Sequence, residues 1–348
     1  MDLARICHNR TPLSVRAAPM DDRRGREVLV VIAKLTLAVS AAGVVAIARR
    51  PRDIRLSDVP ASAEPSGSLR YPSDLIDEKP GTDVLLVGSA HPPPGRAVSS
   101  MTASVRVEAG QRTLSKTVTV HGPRVWYRGA LGVVPGPPAL LTAPVPLLYE
   151  HAYGGRDDTD PAQPLVEWRN PAGTGFARDR ARLVGQAAPA LEDPAAPLSS
   201  RSPAPAAFGP IAAHWLPRSK LAGTHDEAWA RTRAPVRPVD FDPRHNACAH
   251  PDLHSDVPLP GDVSVEILGA TPEGTWRFQL PAYEVEFRAL VRGVVSTPET
   301  HLDTYLIDAE ARVVELVWRA RVPMPRKSEA IEAVYVTGKG DLPEGIGP

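Results

Sequence analysis

Proline is the residue type that most constrains this chain. The sequence holds 39 Pro and 26 Gly among 348 residues, about 19% in all, which lies below the roughly 25–30% typical of low-complexity disorder. Because proline lacks a backbone N–H and has a fixed φ, it interrupts helices and central strands. A coiled coil or an array of helical repeats is therefore excluded, and we expect a globular protein of short elements joined by many turns.

The overall charge is balanced and indicates no class of partner. Forty Lys and Arg offset forty Asp and Glu, and 43% of the residues are hydrophobic, which excludes wholesale disorder. Residues 1–55 hold eleven basic and five acidic residues, whereas residues 252–348 hold nine and sixteen. The basic part contains no helix-turn-helix, zinc-finger or RNA-binding motif, so we expect no nucleic-acid partner.

The cysteine content and the first residues predict a cytoplasmic location. Cys7 and Cys248 are the only cysteines, too few for the disulfide framework of a small secreted protein. Residues 1–19 contain spaced arginines and no apolar core before a small-residue cleavage site. We therefore expect no signal peptide.

One apolar stretch, Val28–Ala48, has the length needed to cross a bilayer. Lys34 lies inside it, β-branched residues dominate both halves, and Ala41-Ala42-Gly43 marks a turn between two runs of strand length. The pattern predicts a buried β-hairpin and no membrane insertion.

Both ends of the chain have the alternation of β-strands. Asp83–Ala90 is an apolar run, and Met101–Glu108 and Arg112–Val120 alternate around a glycine turn. After Asp262 the strand patterns are spaced by roughly 8–12 residues, which is typical of a sandwich or barrel; they cover Val263–Leu268, Thr275–Leu280, Tyr283–Val291, Leu302–Ile307 and Arg312–Arg321. We therefore expect a mainly β fold with an antiparallel sandwich or barrel-like core.

The middle of the chain has neither a strand nor a helix period. It is rich in proline but also in aromatic residues and Gly-Gly or Gly-x-Gly pairs, which flexible linkers lack. We expect an ordered, loop-rich region, with Thr224–Thr232 as the best of a few short helices. This divides the chain into a β-rich part at 1–128, a loop-rich part at 129–260 packed on the core, and a β-rich part at 261–348 that can form one domain with the first.

Motifs for catalysis or cofactor binding are absent. The sequence contains no G-x-S-x-G, H-E-x-x-H or P-loop pattern, so we expect a protein without a cofactor or a catalytic residue. Two alternatives remain open. One is an enzyme of a hydrolase-like class whose residues lie far apart in sequence, and the other is a metal-binding protein that uses the donors His245, Cys248, His250 and His254, whose spacing fits no common zinc motif.

A series of short motifs follows the chain from residue 28 to residue 322. The first are Val30–Leu37 with Lys34 and Thr36, Lys79–Val84, Gly88–Ala90 and Gly122–Trp126. The middle holds Tyr149–Gly155, Asn170–Phe176, Leu191–Pro194, Pro205–Ile211 with Trp215 and Arg218, and Gly223–Trp229, and the last are Leu302–Thr304 and Trp318–Ala320. Together, in this order, they resemble a bacterial family of domains of unknown function that is found beside type VI secretion effector genes.

The resemblance implies a cytoplasmic, non-catalytic adaptor or chaperone that binds a toxin effector and helps load it onto the secretion spike. Its partners would be the effector and the spike proteins. Aromatic residues and arginine are the usual anchors of such contacts, so we expect the partner to contact Trp126, Tyr153, Trp168, Phe176, Trp215, Arg218 and Trp229. We expect a structural role for Gly154, Gly155, Asn170, Gly173, Gly175, Phe208, Gly209 and Asp226.

Overall fold

The computed structural model describes residues 3–63, 67–130, 132–324 and 331–344. The fold is mainly β, as expected. The strands are β1 (Cys7–Asn9), β2 (Ser14–Asp21), β3 (Glu27–Val39), β4 (Val45–Ile47), β5 (Val59–Pro60), β6 (Leu69–Tyr71), β7 (Thr82–Val87), β8 (Ser89–Ala90), β9 (Ser100–Ala109), β10 (Arg112–His121), β11 (Trp126–Gly129), β12 (Gly132–Pro135), β13 (Val145–Pro146), β14 (Tyr153–Gly154), β15 (Arg156–Asp157), β16 (Leu165–Val166), β17 (Thr174–Gly175), β18 (Leu191–Glu192), β19 (His254–Ser255), β20 (Ser264–Leu268), β21 (Thr275–Gln279), β22 (Glu284–Val291), β23 (Val294–Ser296), β24 (Thr300–Asp308), β25 (Val313–Pro323) and β26 (Ile331–Lys339).

Helices are few and short. The α-helices are α1 (Leu3–Ile6) and α2 (Glu227–Thr232), and 3-10 helices cover Tyr149–His151, Arg180–Leu183, Arg218–Leu221, Pro243–Asn246 and Pro251–Leu253. Helix α2 lies where the sequence predicts a helix, and Asp226 caps it by accepting a hydrogen bond from the Trp229 backbone N–H at 2.8 Å. Among the described residues, no helix has both the length and the apolar character that spanning a bilayer requires.

The largest sheet combines strands from both ends of the chain. Its order is β19-β7-β24-β25-β3-β2, and β4 pairs with β3. Strand β3 runs antiparallel to β25, whereas β7 runs parallel to β24. Most strand pairs are antiparallel, as expected. The β7–β24 pair is an exception, because no hairpin turn fixes the relative direction of strands that lie more than 200 residues apart in sequence. None of the sheets in the described residues closes into a barrel.

Strand β3 is buried on both faces, which explains its continuous apolar sequence. Leu29, Val31 and Leu35 point into the main core. Val30 and Ile32, on the opposite face, pack in a second cluster with Ile54. The predicted hairpin exists as β3 and β4. Its turn includes Gly43, whose φ is +83° and whose missing side chain leaves room for the Arg277 carbonyl.

A five-stranded sheet packs against the same core in the order β18-β10-β9-β20-β21. Strands β9 and β10 form the predicted hairpin, and β20, from the last third of the chain, pairs with β9. A four-stranded sheet, β1-β26-β22-β23, adds a third group of strands. In β22, Val285, Phe287 and Ala289 are buried as the alternation predicts.

Among the strands of five or more residues, β2 and β26 have no counterpart in the sequence-based expectations. Strand β2 buries only Ala17 and contains Pro19, so its sequence carries little apolar signal. Strand β26 buries both Ala333 and Val334, opposite an irregularity at Leu290 in β22. The irregularity interrupts the alternation of buried and exposed residues by which a strand is predicted from sequence.

Candidate functional site

Trp126 and Trp215 are buried in the interior of the loop-rich region. Their side chains are 1% and 0% exposed. Trp126 packs with Leu183 and Leu198, and Trp215 packs with Tyr149 in a separate cluster. A side chain buried to this extent cannot contact a partner in this conformation. The expectation that both are contact residues is therefore corrected: both pack the loops.

The other predicted contact residues are partly or largely exposed, but several have internal partners. Tyr153 and Phe176 pack edge to face with ring centroids 6.4 Å apart. Arg218 donates from Nε to the His245 carbonyl at 2.7 Å, and Trp229 donates from Nε1 to the Val236 carbonyl at 2.8 Å. Trp168 is 55% exposed. Of the seven residues, Trp168 offers the most free surface to a partner.

The glycine motifs hold the loops together by close backbone contacts. Asn170 is buried and donates from Nδ2 to the carbonyls of Tyr149 and Tyr153, at 2.8 and 3.0 Å. A Cβ atom on Gly154 would lie 2.2 Å from the Asn170 carbonyl oxygen, and one on Gly173 would lie 2.3 Å from Asn170 Nδ2. Such distances exclude any side chain, so these glycines permit the crossing of the two loops around Asn170.

The remaining motif residues also have structural roles in the loops. Gly155 and Gly175 have φ values of +107° and +87°. Residues that carry a side chain rarely adopt this backbone conformation. Phe208 and Gly209 are buried, and the Phe208 carbonyl accepts a hydrogen bond from the Leu86 N–H of β7 at 3.2 Å. This contact ties the loop region to the largest sheet.

Gly173→Ala is expected to lower the free energy of unfolding by about 1–3 kcal/mol, the usual effect of overpacking a filled interior. Gly209→Ala is the matched control, because its nearest contact would be a carbonyl oxygen at an ordinary 3.7 Å. Urea denaturation of both variants tests this. Equal effects at the two positions would contradict a specific packing role for Gly173.

The four candidate metal ligands do not converge on one point. His245 Nδ1 lies 2.9 Å from the Arg218 carbonyl, His250 Nε2 lies 3.2 Å from Lys116 Nζ, and His254 Nδ1 lies 2.8 Å from Asp83 Oδ1. Burial, together with the nearby Asp83, raises the pKa of the Cys248 thiol to about 12. No group of three or more suitable ligands occurs within the described ranges.

Two groups of charged residues are buried on the far face of the largest sheet. The first, called here the Glu315 cluster, contains three basic and three acidic residues: Lys34, Arg52, Arg55, Asp74, Asp308 and Glu315. Lys34 Nζ lies 3.1 Å from one Glu315 oxygen, and Arg52 lies 3.0 Å from the other. Because Arg52 and Arg55 belong to the loop after β4, the cluster fastens this loop to the sheet.

The second group, the Asp83 cluster, contains Lys79, Asp83, His254, Asp303, Thr304 and Arg319. Asp83 accepts from Lys79 Nζ at 2.9 Å and from the Cys248 backbone N–H at 2.8 Å. Lys79 also donates to Thr304 at 2.8 Å, and Arg319 pairs with Asp303. The cluster therefore joins β7, β24 and β25 to the loop that precedes β19.

The directions of the pKa shifts in the Asp83 cluster favour a structural role. Burial alone would lower the pKa of Lys79, but the charge of Asp83 raises it above its usual value. Burial alone would raise the pKa of Asp83, but Lys79 and His254 hold it below its usual range. A nucleophilic or basic lysine needs a lowered pKa, so this arrangement stabilises an ion pair and does not prepare a reactive group.

Sequence reasoning missed the role of these clusters, although several members lie in the quoted motifs. The available signal was a charged residue inside an otherwise apolar strand, as with Lys34 in β3 and Glu315 in β25. Such a position predicts a buried partner. It does not identify the partner, because Arg52, Arg55 and Asp74 lie in loops without a period.

An exposed apolar groove lies on the loop-rich region next to Trp126. Its volume is about 510 Å³, and its lining includes Pro123, Val125, Pro137, Pro138, Ala139 and Ala187. We call it the proline–alanine groove. Val125 and Tyr127 lie on the outward face of the strand whose inward residue is Trp126, and with the neighbouring Val184 they are 51%, 46% and 43% exposed.

The groove has a rigid frame. A Cβ atom on Gly122 would lie 2.1 Å from the Ala139 carbonyl, so only glycine lets its two walls approach this closely. Arg124 donates from Nη2 to the Pro189 carbonyl at 2.9 Å and to Glu192 at 2.6 Å. Burial alone would raise the pKa of Glu192, but His121 and Arg124 lower it to about 2. The ion pair therefore persists at neutral pH.

These features define a β-rich scaffold whose loops form an exposed apolar groove. Most of its buried charged side chains form ion pairs with one another. Residues 24–319 match the family described as an uncharacterized protein conserved in bacteria, DUF2169. The match covers more than half of the chain, so the chain belongs to this family. Searches of curated proteins and of solved structures gave no significant match.

Proposed function

We propose that this chain is a non-catalytic adaptor or chaperone that binds a toxin effector in the cytoplasm and helps load it onto the type VI secretion spike. The order of the sequence motifs supports this proposal through their resemblance to such adaptors. Membership of a family conserved in bacteria is compatible with it.

The observation that carries the proposal is the exposed apolar surface of the proline–alanine groove. Contiguous exposed apolar residues on a rigid frame are typical of protein-binding sites. Val125 and Tyr127 project from a strand that is held by Trp126 on its buried face. The groove is therefore formed before a partner arrives, which lowers the entropic cost of binding.

The test is co-expression with the product of a neighbouring effector gene, followed by size-exclusion chromatography. We expect the two proteins to elute together as one complex. Separate elution of the wild-type chain and the effector would contradict the adaptor role.

Val125→Glu combined with Tyr127→Glu is expected to weaken the complex by about 100-fold or more, because two carboxylates would be buried in an apolar contact. Val239→Glu is the matched control, since Val239 is highly exposed and lies outside the groove lining. Titration by calorimetry measures both variants. If the double variant binds as tightly as the control, the groove is not the contact.

A further inference from the structure

A second groove lies at the seam between the largest sheet and the four-stranded sheet. It consists of two adjoining concavities of about 540 and 330 Å³, whose linings share Pro258 and His301. We call this feature the seam groove. It is formed by other elements than the proline–alanine groove, and the inference drawn from it does not depend on the proposed adaptor role.

The larger half of the seam groove has an apolar floor. Leu259, Tyr283, Val285, Leu302 and Trp318 line it, and all five are almost fully buried. The rings of Tyr283 and Trp318 meet edge to face with centroids 6.2 Å apart. A concavity of this size with an apolar floor fits one large apolar side chain of a partner.

The rim of the seam groove is acidic. Asp256 and Glu299 are 92% and 87% exposed, and Asp262 and Glu284 are also exposed. Glu284 faces Lys339 in the neighbouring strand. The ion-pair partners found for Asp256 and Glu299 are histidines at 3.6 and 3.8 Å, and in the described part of the chain no Lys or Arg pairs with Asp256, Asp262 or Glu299.

The smaller half of the groove has a floor whose charges are already compensated. Arg319 pairs with Asp303, Arg321 lies 2.5 Å from Glu78, and Lys79 pairs with Asp83. Because the basic groups of the floor are already paired with carboxylates, the carboxylates of the rim determine the local charge at the groove. Arg319 Nε is buried and has no acceptor among the described residues.

We propose that the seam groove binds an extended segment of a partner protein that carries one large apolar residue flanked by lysines or arginines. The apolar residue occupies the larger half, and the basic residues pair with Asp256, Asp262 and Glu299 on the rim. Charge complementarity of this kind selects the partner and speeds association. An acidic segment is excluded because its carboxylates would meet those of the rim.

The inference is tested on the full chain with a fluorescein-labelled ten-residue peptide that contains a single Trp between two Lys-Lys pairs. A second peptide has glutamates in place of the lysines. Fluorescence polarisation at low and at physiological salt measures binding. We expect saturable binding of the basic peptide, weaker at the higher salt concentration, and no binding of the acidic peptide.

Asp262→Lys combined with Glu299→Lys is expected to weaken binding of the basic peptide about ten-fold or more. The matched control is Asp158→Lys combined with Glu227→Lys, which changes the net charge equally at exposed positions outside the seam groove. Equal weakening in both variants would mean that only the overall charge attracts the peptide, and it would overturn the proposal. Absence of binding to the wild-type chain would also overturn it.

Discussion

Replacing Asp83 with alanine is expected to lower the free energy of unfolding by about 3–5 kcal/mol, the usual effect of removing one partner of a buried ion pair. The Asp83 side chain is fully buried and accepts hydrogen bonds from Lys79, His254 and the Cys248 N–H. Without the carboxylate, the Lys79 ammonium stays buried with only the Thr304 hydroxyl as a close acceptor. Equilibrium urea denaturation, followed by circular dichroism, measures the change.

Asp158→Ala provides the comparison for this experiment. Asp158 also pairs with a basic residue, Arg156, at 3.1 Å, but both side chains are more than half exposed. Water screens such a pair, and its loss is expected to change the free energy of unfolding by less than about 1 kcal/mol. A similar small change for Asp83→Ala would show that the Asp83 cluster contributes little to stability.

Acidification is expected to lower the stability of the protein between about pH 4.5 and pH 2. Burial alone would raise the pKa of Glu315, but the hydrogen bond from Arg55 and the charge of Lys34 lower it to about 2. In the unfolded chain a glutamate titrates near pH 4.3. Because the folded pKa is the lower one, the stabilisation is complete above about pH 4.5 and is lost as the pH falls towards 2, by about 2–3 kcal/mol for this residue.

Glu315→Gln separates this contribution from that of other carboxylates. The variant is expected to be less stable than the wild-type chain at pH 6, because the amide cannot balance the charges of Lys34, Arg52 and Arg55. Its free energy of unfolding should depend less on pH, and the two curves should approach each other near pH 2. Urea denaturation at intervals from pH 6 to pH 2 gives both curves. Parallel curves would contradict the role assigned to Glu315.

The sequence predicts the strands that alternate and the hairpins that join near neighbours. Strands β9 and β10 are an example, because one glycine turn determines both their direction and their register. The parallel pairing of β7 with β24 cannot be predicted in this way, since the packing of the whole core determines it. The same limit applies to the seam groove, whose larger half is lined by residues from 258 to 340 and whose smaller half adds residues 77–81.

The candidate contact residues show a second limit of sequence reasoning. Tryptophan is favoured both in interfaces and in small cores, and the sequence alone does not separate the two. The structure does, because Trp126 is buried, whereas Val125 lines the proline–alanine groove and Tyr127 is exposed on the same side of the strand. The alternation of the extended segment 125–127 buries Trp126 and exposes its neighbours Val125 and Tyr127.

The pairing of β3 with β25 has a consequence for synthesis on the ribosome. Strand β3 ends at Val39, and β25 begins only at Val313. Until residue 323 has left the exit tunnel, one edge of the apolar strand β3 has no partner, and the main core cannot close. We therefore expect the nascent chain to depend on holdase chaperones for most of its translation, and truncations that remove β25 to aggregate instead of folding in part.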